Sequence, residues 1–376
     1  MTALLNTVDP DGLLEFSVVF TDRSLNHMST QFQQVMRDID AGLKQVYHAD
    51  ATALVPGGGT FAMEAVARQF AADRKVLVVR NGWFSFRWSQ IIDAGQIATE
   101  TVVMKARQVG NEATAPFAPA PVDEVVARIH AERPAVVFAP HVETSSGIIL
   151  PDDYISALAG AAHEVGALMV LDCIASGCVW VDMKATGVDV LISAPQKGWS
   201  STPCAGLVML SDRALARMED TESSSFAVDL KKWRAIMAAY ENGGHAYHAT
   251  MPTDGLKAFR DTMAETLDYG TDRLCDAQWE LGTKVRALLA ARGIRSVAAD
   301  GVGAPGVVVS YTDDPGIQNG SKFSAEGVQI AAGVPLQVDE PQGFSTFRLG
   351  LFGLDKLYDV DATVARLDAA LTKALG

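Results

Sequence analysis

Two side chains that could act together chemically stand at the ends of two apolar runs. Asp172 closes the run ALMVL, and Lys197 follows the run VDVLI within the segment SAPQKGW. Partial desolvation at the end of a buried strand lowers the pKa of a lysine, and the neutral amine can attack a carbonyl to form a Schiff base. A carboxylate at such a place needs a partner, and a nearby cation would lower its pKa by about 1–3 units. Taken alone, Lys197 also fits an ordinary solvated loop lysine, so this interpretation depends on its neighbours.

A glycine-rich turn offers a second kind of chemistry. Gly58, Gly59 and Thr60 lie in the segment PGGGT, between a short apolar run and a predicted helix. Backbone N–H groups, a hydroxyl and a helix N-terminus favour an anion such as phosphate. The segment is neither a Walker motif nor GxGxxG, and a plain strand-to-helix turn would have the same sequence.

Two further segments follow predicted strands. RNGWF contains Trp83 and Phe84, whose rings could stack on an aromatic ligand or could simply be core. PHVETSSG gathers hydrogen-bonding side chains in one loop, Thr144 among them.

The elements that would position these groups alternate between strands and helices. Apolar runs predict strands near 52–55, 76–79, 101–104, 135–139, 167–171, 188–192 and 206–210. Helical periodicity predicts helices over 31–47, 61–72, 122–132 and 152–165 and another that ends near 94. This alternation indicates an α/β fold with a largely parallel sheet covered on both faces, in which ligands bind at the carboxyl ends of the strands.

The pattern changes after Asp254. A long helical segment over 255–293 is followed by short glycine-rich strands and by a helix over 360–375. We therefore predict an N-terminal arm (1–26), a large ligand-binding domain (27–254) and a smaller C-terminal α/β domain (255–376).

An anion turn, a stacking ring, a carboxylate and a lysine together fit pyridoxal 5′-phosphate (PLP). The phosphate would lie at Gly59 and Thr60, the pyridine nitrogen would stay protonated against Asp172, and the aldehyde would be bound to Lys197.

The chain resembles the class V aminotransferases of the fold-type-I PLP superfamily, and it is similar to the alanine–glyoxylate and serine–pyruvate aminotransferases over residues 27–376. The segments that carry the resemblance are GGT at 58–60, NGWF at 81–84, HVETSSG at 141–147, DCIAS at 172–176, SAPQK at 193–197, YHATMPT at 247–253 and FRLGLFG at 347–353.

The resemblance implies a role for each matched residue. Lys197 and Asp172 would be the catalytic pair, and Arg348 would hold the substrate α-carboxylate through its bidentate fork. Without the family, Arg348 would be assigned to a surface ion pair. The implied cofactor-binding residues are Gly58, Gly59, Thr60, Phe84 (with Trp83 as the alternative ring), Thr144, Asp172, Ile174, Gln196, Lys197, Tyr247 and Thr250. Of these, Tyr247 and Thr250 would reach across a homodimer to the partner subunit's phosphate.

The implied reaction is a ping-pong transamination between a small amino acid, such as alanine or serine, and a small 2-oxo acid, such as glyoxylate or pyruvate. The family usually begins with a Gly-Pro-Gly-Pro-type segment that lines the substrate pocket, whereas this chain has VDPDGLLEFSVVFTDRS. The identity of the amino substrate therefore stays open.

Three other interpretations remain. A lyase or cysteine desulfurase of the same fold would need a mobile nucleophilic cysteine, and only Cys275 lies in the C-terminal part of the chain. A transaminase could act on a phosphorylated or phosphonate amino substrate. A nucleotide-binding regulatory protein could use GGGT for phosphate, but Asp172, Lys197 and Tyr247 would then have no role.

Composition narrows the partners. A net charge of −14 disfavours nucleic acid and anionic membranes. The four cysteines lack a CxxC zinc spacing and suggest free thiols in a reducing compartment. The first residues lack the basic region of a signal peptide, and the most apolar stretch, 167–180, is short for a membrane span. We expect a cytoplasmic protein with no bound metal.

Overall fold

The computed structural model describes residues 8–375 and centres on a seven-stranded sheet. The strands are β1 (Ala51–Pro56), β2 (Lys75–Arg80), β3 (Glu100–Lys105), β4 (Arg107–Gln108), β5 (Phe117–Ala118), β6 (Val136–Pro140), β7 (Val142–Glu143), β8 (Ile148–Ile149), β9 (Leu168–Asp172), β10 (Val190–Ser193), β11 (Ala205–Leu210), β12 (Val307–Tyr311), β13 (Ala331–Ala332) and β14 (Thr346–Gly350). The helices are α1 (Thr30–Tyr47), α2 (Gly59–Phe70), α3 (Trp83–Gly95), α4 (Val122–Glu132), α5 (Asp152–Glu164), α6 (Met183–Thr186), α7 (Asp212–Glu219), α8 (Leu230–Glu241), α9 (Thr253–Tyr269), α10 (Thr271–Ala290), α11 (Pro315–Gln318), α12 (Ser321–Ala325), α13 (Leu354–Leu357) and α14 (Val360–Leu375).

The central sheet has the strand order β1-β11-β10-β9-β6-β2-β3. Five neighbouring strands, from β10 to β3, run parallel, and β11 is antiparallel to both β1 and β10. Every residue of β6, β9, β10 and β11 is buried. Because successive strand residues face opposite sides, both faces of this sheet are covered. The predicted α/β fold with a mostly parallel sheet is confirmed.

A second, smaller sheet lies further along the chain. It has the order β12-β14-β13, and all its pairs are antiparallel. Its residues Val308, Phe347 and Leu349 pack with α10 and α14 in a core cluster separate from that of the large sheet, whereas Val307, Val309 and Tyr311 of β12 belong to a third cluster. The helical segment predicted over 255–293 is divided in two by Gly270, whose φ of 103° ends α9 before α10 begins.

The N-terminal prediction can be followed only in part, because residues 1–7 lie outside the described residues. From residue 8 to residue 26 the chain forms neither helix nor strand. It is fixed at its end, where the backbone N–H of Leu25 donates to Asp254 at 3.0 Å. The division into an arm and two domains stays a prediction. Among residues 8–375, no helix combines the length and apolar character that a bilayer crossing requires.

Candidate active site

The strands of the central sheet bring the predicted residues to one edge. Ile192 of β10 pairs with Asp172 at the end of β9, so Lys197 emerges from the neighbouring strand just beyond that carboxylate. Pro140, which ends β6, pairs with Asp172 from the other side. The loops after these three strands therefore meet at the carboxyl end of the sheet, where open α/β sheets bind ligands.

Asp172 is a buried carboxylate with unused hydrogen-bonding capacity. Its side chain is 8% exposed, and Oδ1 accepts the backbone N–H of Ile174 at 2.9 Å. Within the described residues, Oδ2 accepts no hydrogen bond. Burial raises the pKa of Asp172 to about 6; the Ile174 N–H lowers it, Glu143 raises it, and the positive charges of Arg87 and Lys197 lower it. The prediction that a cation would hold this pKa below its ordinary value is wrong, because burial outweighs both positive charges.

Lys197 occupies the same electrostatic environment. Burial lowers the pKa of its ammonium group, as the sequence predicted. The charge of Asp172 opposes this shift, and those of Arg348 and Arg87 add to it. The Nζ atom lies 5.2 Å from the centre of the Phe352 ring. The amine is therefore neutral at lower pH than an exposed lysine would be.

The glycine turn leaves a row of backbone donors free. The N–H groups of Gly58, Gly59 and Thr60 have no acceptor among residues 8–375, because they lie at the start of α2, where a helix offers none. The next two N–H groups, of Phe61 and Ala62, donate to the carbonyl of Gly58. A Cβ added to Gly58 would meet no atom within 4 Å, so space is open in front of the turn. Such a turn fits a phosphate group.

Gly59 has a different reason to be glycine. A Cβ at this position would lie 2.4 Å from Cδ1 of Ile174, two residues beyond Asp172. The glycine turn and the end of β9 are thus in direct contact. An open phosphate turn beside a carboxylate with a free oxygen, near a lysine, is a donor set that fits PLP.

Of the two candidate rings, Phe84 lies among the charged groups of this edge. The guanidinium carbons of Arg87 and Arg348 lie 5.1 Å and 5.5 Å from the centre of its ring. The ring of Trp83 instead contacts Phe86, with 5.8 Å between centres.

Arg348 lies on β14 of the smaller sheet, and it reaches this edge of the large sheet. Its Nε donates to the carbonyl of Ala332 at 2.8 Å. Burial lowers the pKa of its guanidinium, and Glu143 opposes the shift. Its contact with Phe84 shows that the two sheets contribute to one site.

The remaining predicted residues are more exposed. Thr144 is partly exposed between buried neighbours, and Gln196 lies at the surface. Tyr247 and Thr250 are exposed and share a hydrogen bond of 3.0 Å. Their described contacts do not join the Gly58–Thr60 turn of their own chain.

The sequence predicted no specific role for two residues that contribute to this edge, Glu143 and Arg87. Glu143 is completely buried and accepts the N–H groups of Phe84 and Ser85 at 3.1 and 2.8 Å, so it caps α3 from another part of the chain. Arg87 donates to Oγ1 of Thr60 at 3.0 Å. Its spacing from Phe84, three residues along one helix, was the available signal.

A lysine and a carboxylate from adjacent parallel strands, beside a glycine phosphate turn, define an enzyme of the PLP-dependent fold-type-I class. The chain belongs to the class V aminotransferase family, whose model matches residues 15–298. Members of this family depend on PLP.

Individual relatives are similar to this chain at low identity. The alanine–glyoxylate aminotransferase of Felis catus is 27% identical over 71% of this chain, a match that spans 62% of the cat enzyme. A protein named soluble hydrogenase small subunit, from Synechococcus, is 28% identical over 93% of this chain and 87% of its own length. The structure of an alanine–glyoxylate aminotransferase from Nostoc superimposes with a TM-score of 0.79 at 21% identity, covering 94% of this chain and 89% of the other, and supports the fold.

Proposed function

We propose that the protein transfers an amino group from a small amino acid, such as alanine or serine, to a small 2-oxo acid, such as glyoxylate or pyruvate. One observation carries the proposal. Lys197 and Asp172 are close enough for the charge of each to shift the pKa of the other, and they lie beside the turn at 58–60, whose backbone N–H groups have no acceptor among the described residues. The reaction would be ping-pong, and the amine of Lys197 would hold the cofactor between turnovers.

Each predicted residue would have a role around the cofactor. When bound, PLP supplies an electron sink for the negative charge that develops on the substrate α-carbon. Asp172 is ionised above a pH of about 6 and would hold the ring nitrogen in its protonated form. The other holding residues are Gly58, Gly59, Thr60 and Gln196 for the phosphate, Phe84 and Ile174 for the ring faces, Thr144 for the phenolic oxygen, and Tyr247 and Thr250 across a homodimer.

Once the amino group of the substrate has taken its place on the cofactor, Lys197 would also move the proton. Because burial lowers its pKa, a larger fraction of its amine is neutral and able to accept the α-proton from the substrate. The same amine would then return the proton, and addition of water would release the 2-oxo acid, leaving the amino group on the cofactor and completing the half-reaction. Arg348 binds the substrate carboxylate and so fixes which bond at the α-carbon faces Lys197.

The desulfurase alternative is weakened by the position of Cys275. This residue lies within α10, not in a loop, and burial raises the pKa of its thiol. A thiolate, which a desulfurase needs as its nucleophile, is therefore disfavoured there.

We further propose the organisation that the sequence predicts: an arm at 1–26, a large domain at 27–254 and a small domain at 255–376, assembled as a cytoplasmic homodimer with active sites at the interface. The exposure of Tyr247 and Thr250 supports the dimer, since both are available to a neighbouring subunit. The free cysteines among the described residues are compatible with a reducing compartment.

The test begins with the cofactor. Protein reconstituted with PLP should show a visible absorbance band that each productive amino acid bleaches and each productive 2-oxo acid restores. Donors to screen are alanine, serine, phosphoserine and an aminophosphonate, against glyoxylate, pyruvate and 2-oxoglutarate. Double-reciprocal plots should be parallel.

The variant Lys197→Ala should lose the band and at least about 1000-fold in transamination, because nucleophile and base are removed together. Retained transamination in this variant would refute the proposal. Release of sulfide from cysteine without amino transfer would favour the desulfurase instead.

A further inference from the structure

Arg87 is a cation beside the glycine turn at 58–60, and none of the roles proposed above uses it. The guanidinium of Arg87 donates from one terminal nitrogen to Oγ1 of Thr60 at 3.0 Å and lies over the ring of Phe84. Among the described residues, this is its only hydrogen bond. Within residues 8–375, the other N–H groups of this guanidinium have no acceptor.

The proposed phosphate site lacks positive charge without it. The residues proposed to contact the phosphate are all neutral side chains or glycines, namely Gly58, Gly59, Thr60, Gln196, Tyr247 and Thr250. A phosphate monoester carries about −1.5 to −2 charges at pH 7, and a helix N-terminus offers only about half a charge in return. The protein as a whole is strongly acidic, with a net charge of −14. An ion of this charge therefore needs a local cation.

We propose that Arg87 is the cation that neutralises the cofactor phosphate. It would do so directly, through its free donors, and indirectly through Thr60. Because Oγ1 of Thr60 accepts a charge-assisted hydrogen bond from Arg87, its own O–H becomes a stronger donor and stays free to face the phosphate. This inference rests on the proposed function, because it assumes that PLP is the ligand.

The surroundings of Arg87 favour this role over binding the far end of a substrate. Its side chain is held between two groups that belong to the cofactor site, Thr60 of the turn and the ring of Phe84. A guanidinium held over an aromatic ring has fewer orientations available, which reduces the entropy that it loses when it binds a phosphate. Arg348, which comes from the smaller sheet and lies 5.5 Å from the centre of the Phe84 ring, remains as a separate cation for the substrate carboxylate.

The test compares two ligands that differ only in the phosphate. Equilibrium dissociation constants for PLP and for pyridoxal should be measured by absorbance on the wild type, Arg87→Met and Arg87→Lys, with Arg128→Met as a control for net charge. Arg128 is an exposed arginine of α4, paired with Glu132. Competition by inorganic phosphate against PLP should be measured on the same proteins.

Arg87→Met should weaken PLP binding about 10- to 100-fold, the range of a lost charged hydrogen bond, while pyridoxal binding changes less than about twofold. Arg87→Lys should recover part of the loss, and inorganic phosphate should compete less well with PLP in the Met variant. Arg128→Met should match the wild type throughout.

Equal losses for PLP and pyridoxal would overturn the inference, because Arg87 would then act on the ring or on the fold. Unchanged PLP binding in the Met variant would overturn it as well. A wild-type protein that binds neither ligand would refute the proposed function itself, which separates the two failures. If the Met variant does not fold, Arg87→Lys decides, since a loss of PLP affinity with normal pyridoxal affinity still identifies the phosphate.

Discussion

Two buried carboxylates lie at the same edge of the sheet, but one accepts many hydrogen bonds and the other accepts few. Glu143 is fully buried, and its two oxygens accept hydrogen bonds from the backbone of Phe84, Ser85 and Ser145 and from the hydroxyls of both serines. Asp172 is nearly as buried, yet among the described residues it accepts only the N–H of Ile174.

This difference distinguishes a carboxylate with a structural role from one available for a ligand. Glu143 uses its hydrogen-bonding capacity to hold the beginning of α3, and with it the ring of Phe84. Asp172 keeps one oxygen free, and burial raises its pKa, so its ionised form is disfavoured. A partly unsatisfied buried carboxylate at a strand end is therefore the better candidate for a ligand contact.

The largest expected effect comes from removing the charge of Asp172. In the variant Asp172→Asn, the amide cannot stabilise a protonated ring nitrogen, so transamination should fall about 100- to 10,000-fold. Steady-state kinetics on PLP-loaded protein measures this, and Asp300→Asn, an exposed residue, is the matched control. Activity within a few-fold of wild type would mean that Asp172 is no more functional than Glu143.

The next largest expected effect is a loss of stability when Glu143 is substituted. In Glu143→Ala, several buried N–H donors lose their acceptor, and the free energy of unfolding should drop by about 3 kcal/mol. Glu143→Gln keeps one acceptor oxygen and should lose less. Urea unfolding of the cofactor-free protein measures both variants. An alanine variant as stable as wild type would show that these hydrogen bonds do not hold α3.

The same measurement on Asp172→Asn should show the opposite sign. Its pKa is raised from 3.8 to about 6 in the folded protein, so ionisation at pH 7 costs roughly 2–3 kcal/mol that the asparagine variant avoids. The cofactor-free variant should therefore be more stable than wild type at pH 7. This advantage should shrink between pH 6 and pH 4 and vanish below pH 4, where Asp172 is protonated in both states. An advantage that does not change with pH would point to packing instead of charge.

The contrast also shows what the sequence could predict. The pairing of Asp172 with Lys197 follows from strand periodicity and from the rule that parallel strands end at one edge. The pKa of Asp172 could not be predicted, because it depends on how far burial outweighs the charges of Arg87 and Lys197, and neither the burial nor the position of Arg87 can be read from local sequence. The capping by Glu143 joins residues 58 positions apart and has no local signal.

Other omissions had a signal in the sequence. Helix α8 carries Leu230, Trp233, Met237 and Tyr240 at helical spacing on its buried side, a pattern that went unused. The contact of Arg87 with Thr60 is different, because it depends on the angle between α2 and α3, which periodicity does not fix. Local pattern and strand-end position thus predict the groups on the sheet, whereas groups delivered by helix packing need the structure.

The smallest expected effect concerns the ring that Glu143 holds in place. Phe84→Leu should weaken PLP binding about 2- to 10-fold, because an aromatic stacking contact of this kind contributes about 0.5–1.5 kcal/mol beyond its buried area. Trp83→Leu should leave the dissociation constant for PLP nearly unchanged, since the Trp83 ring contacts Phe86 and not the arginines of the site. The reverse result would make Trp83 the stacking ring. In that case the hydrogen bonds of Glu143 would orient the cofactor through the neighbouring residue of the same helical turn, and the structural role of this carboxylate would remain.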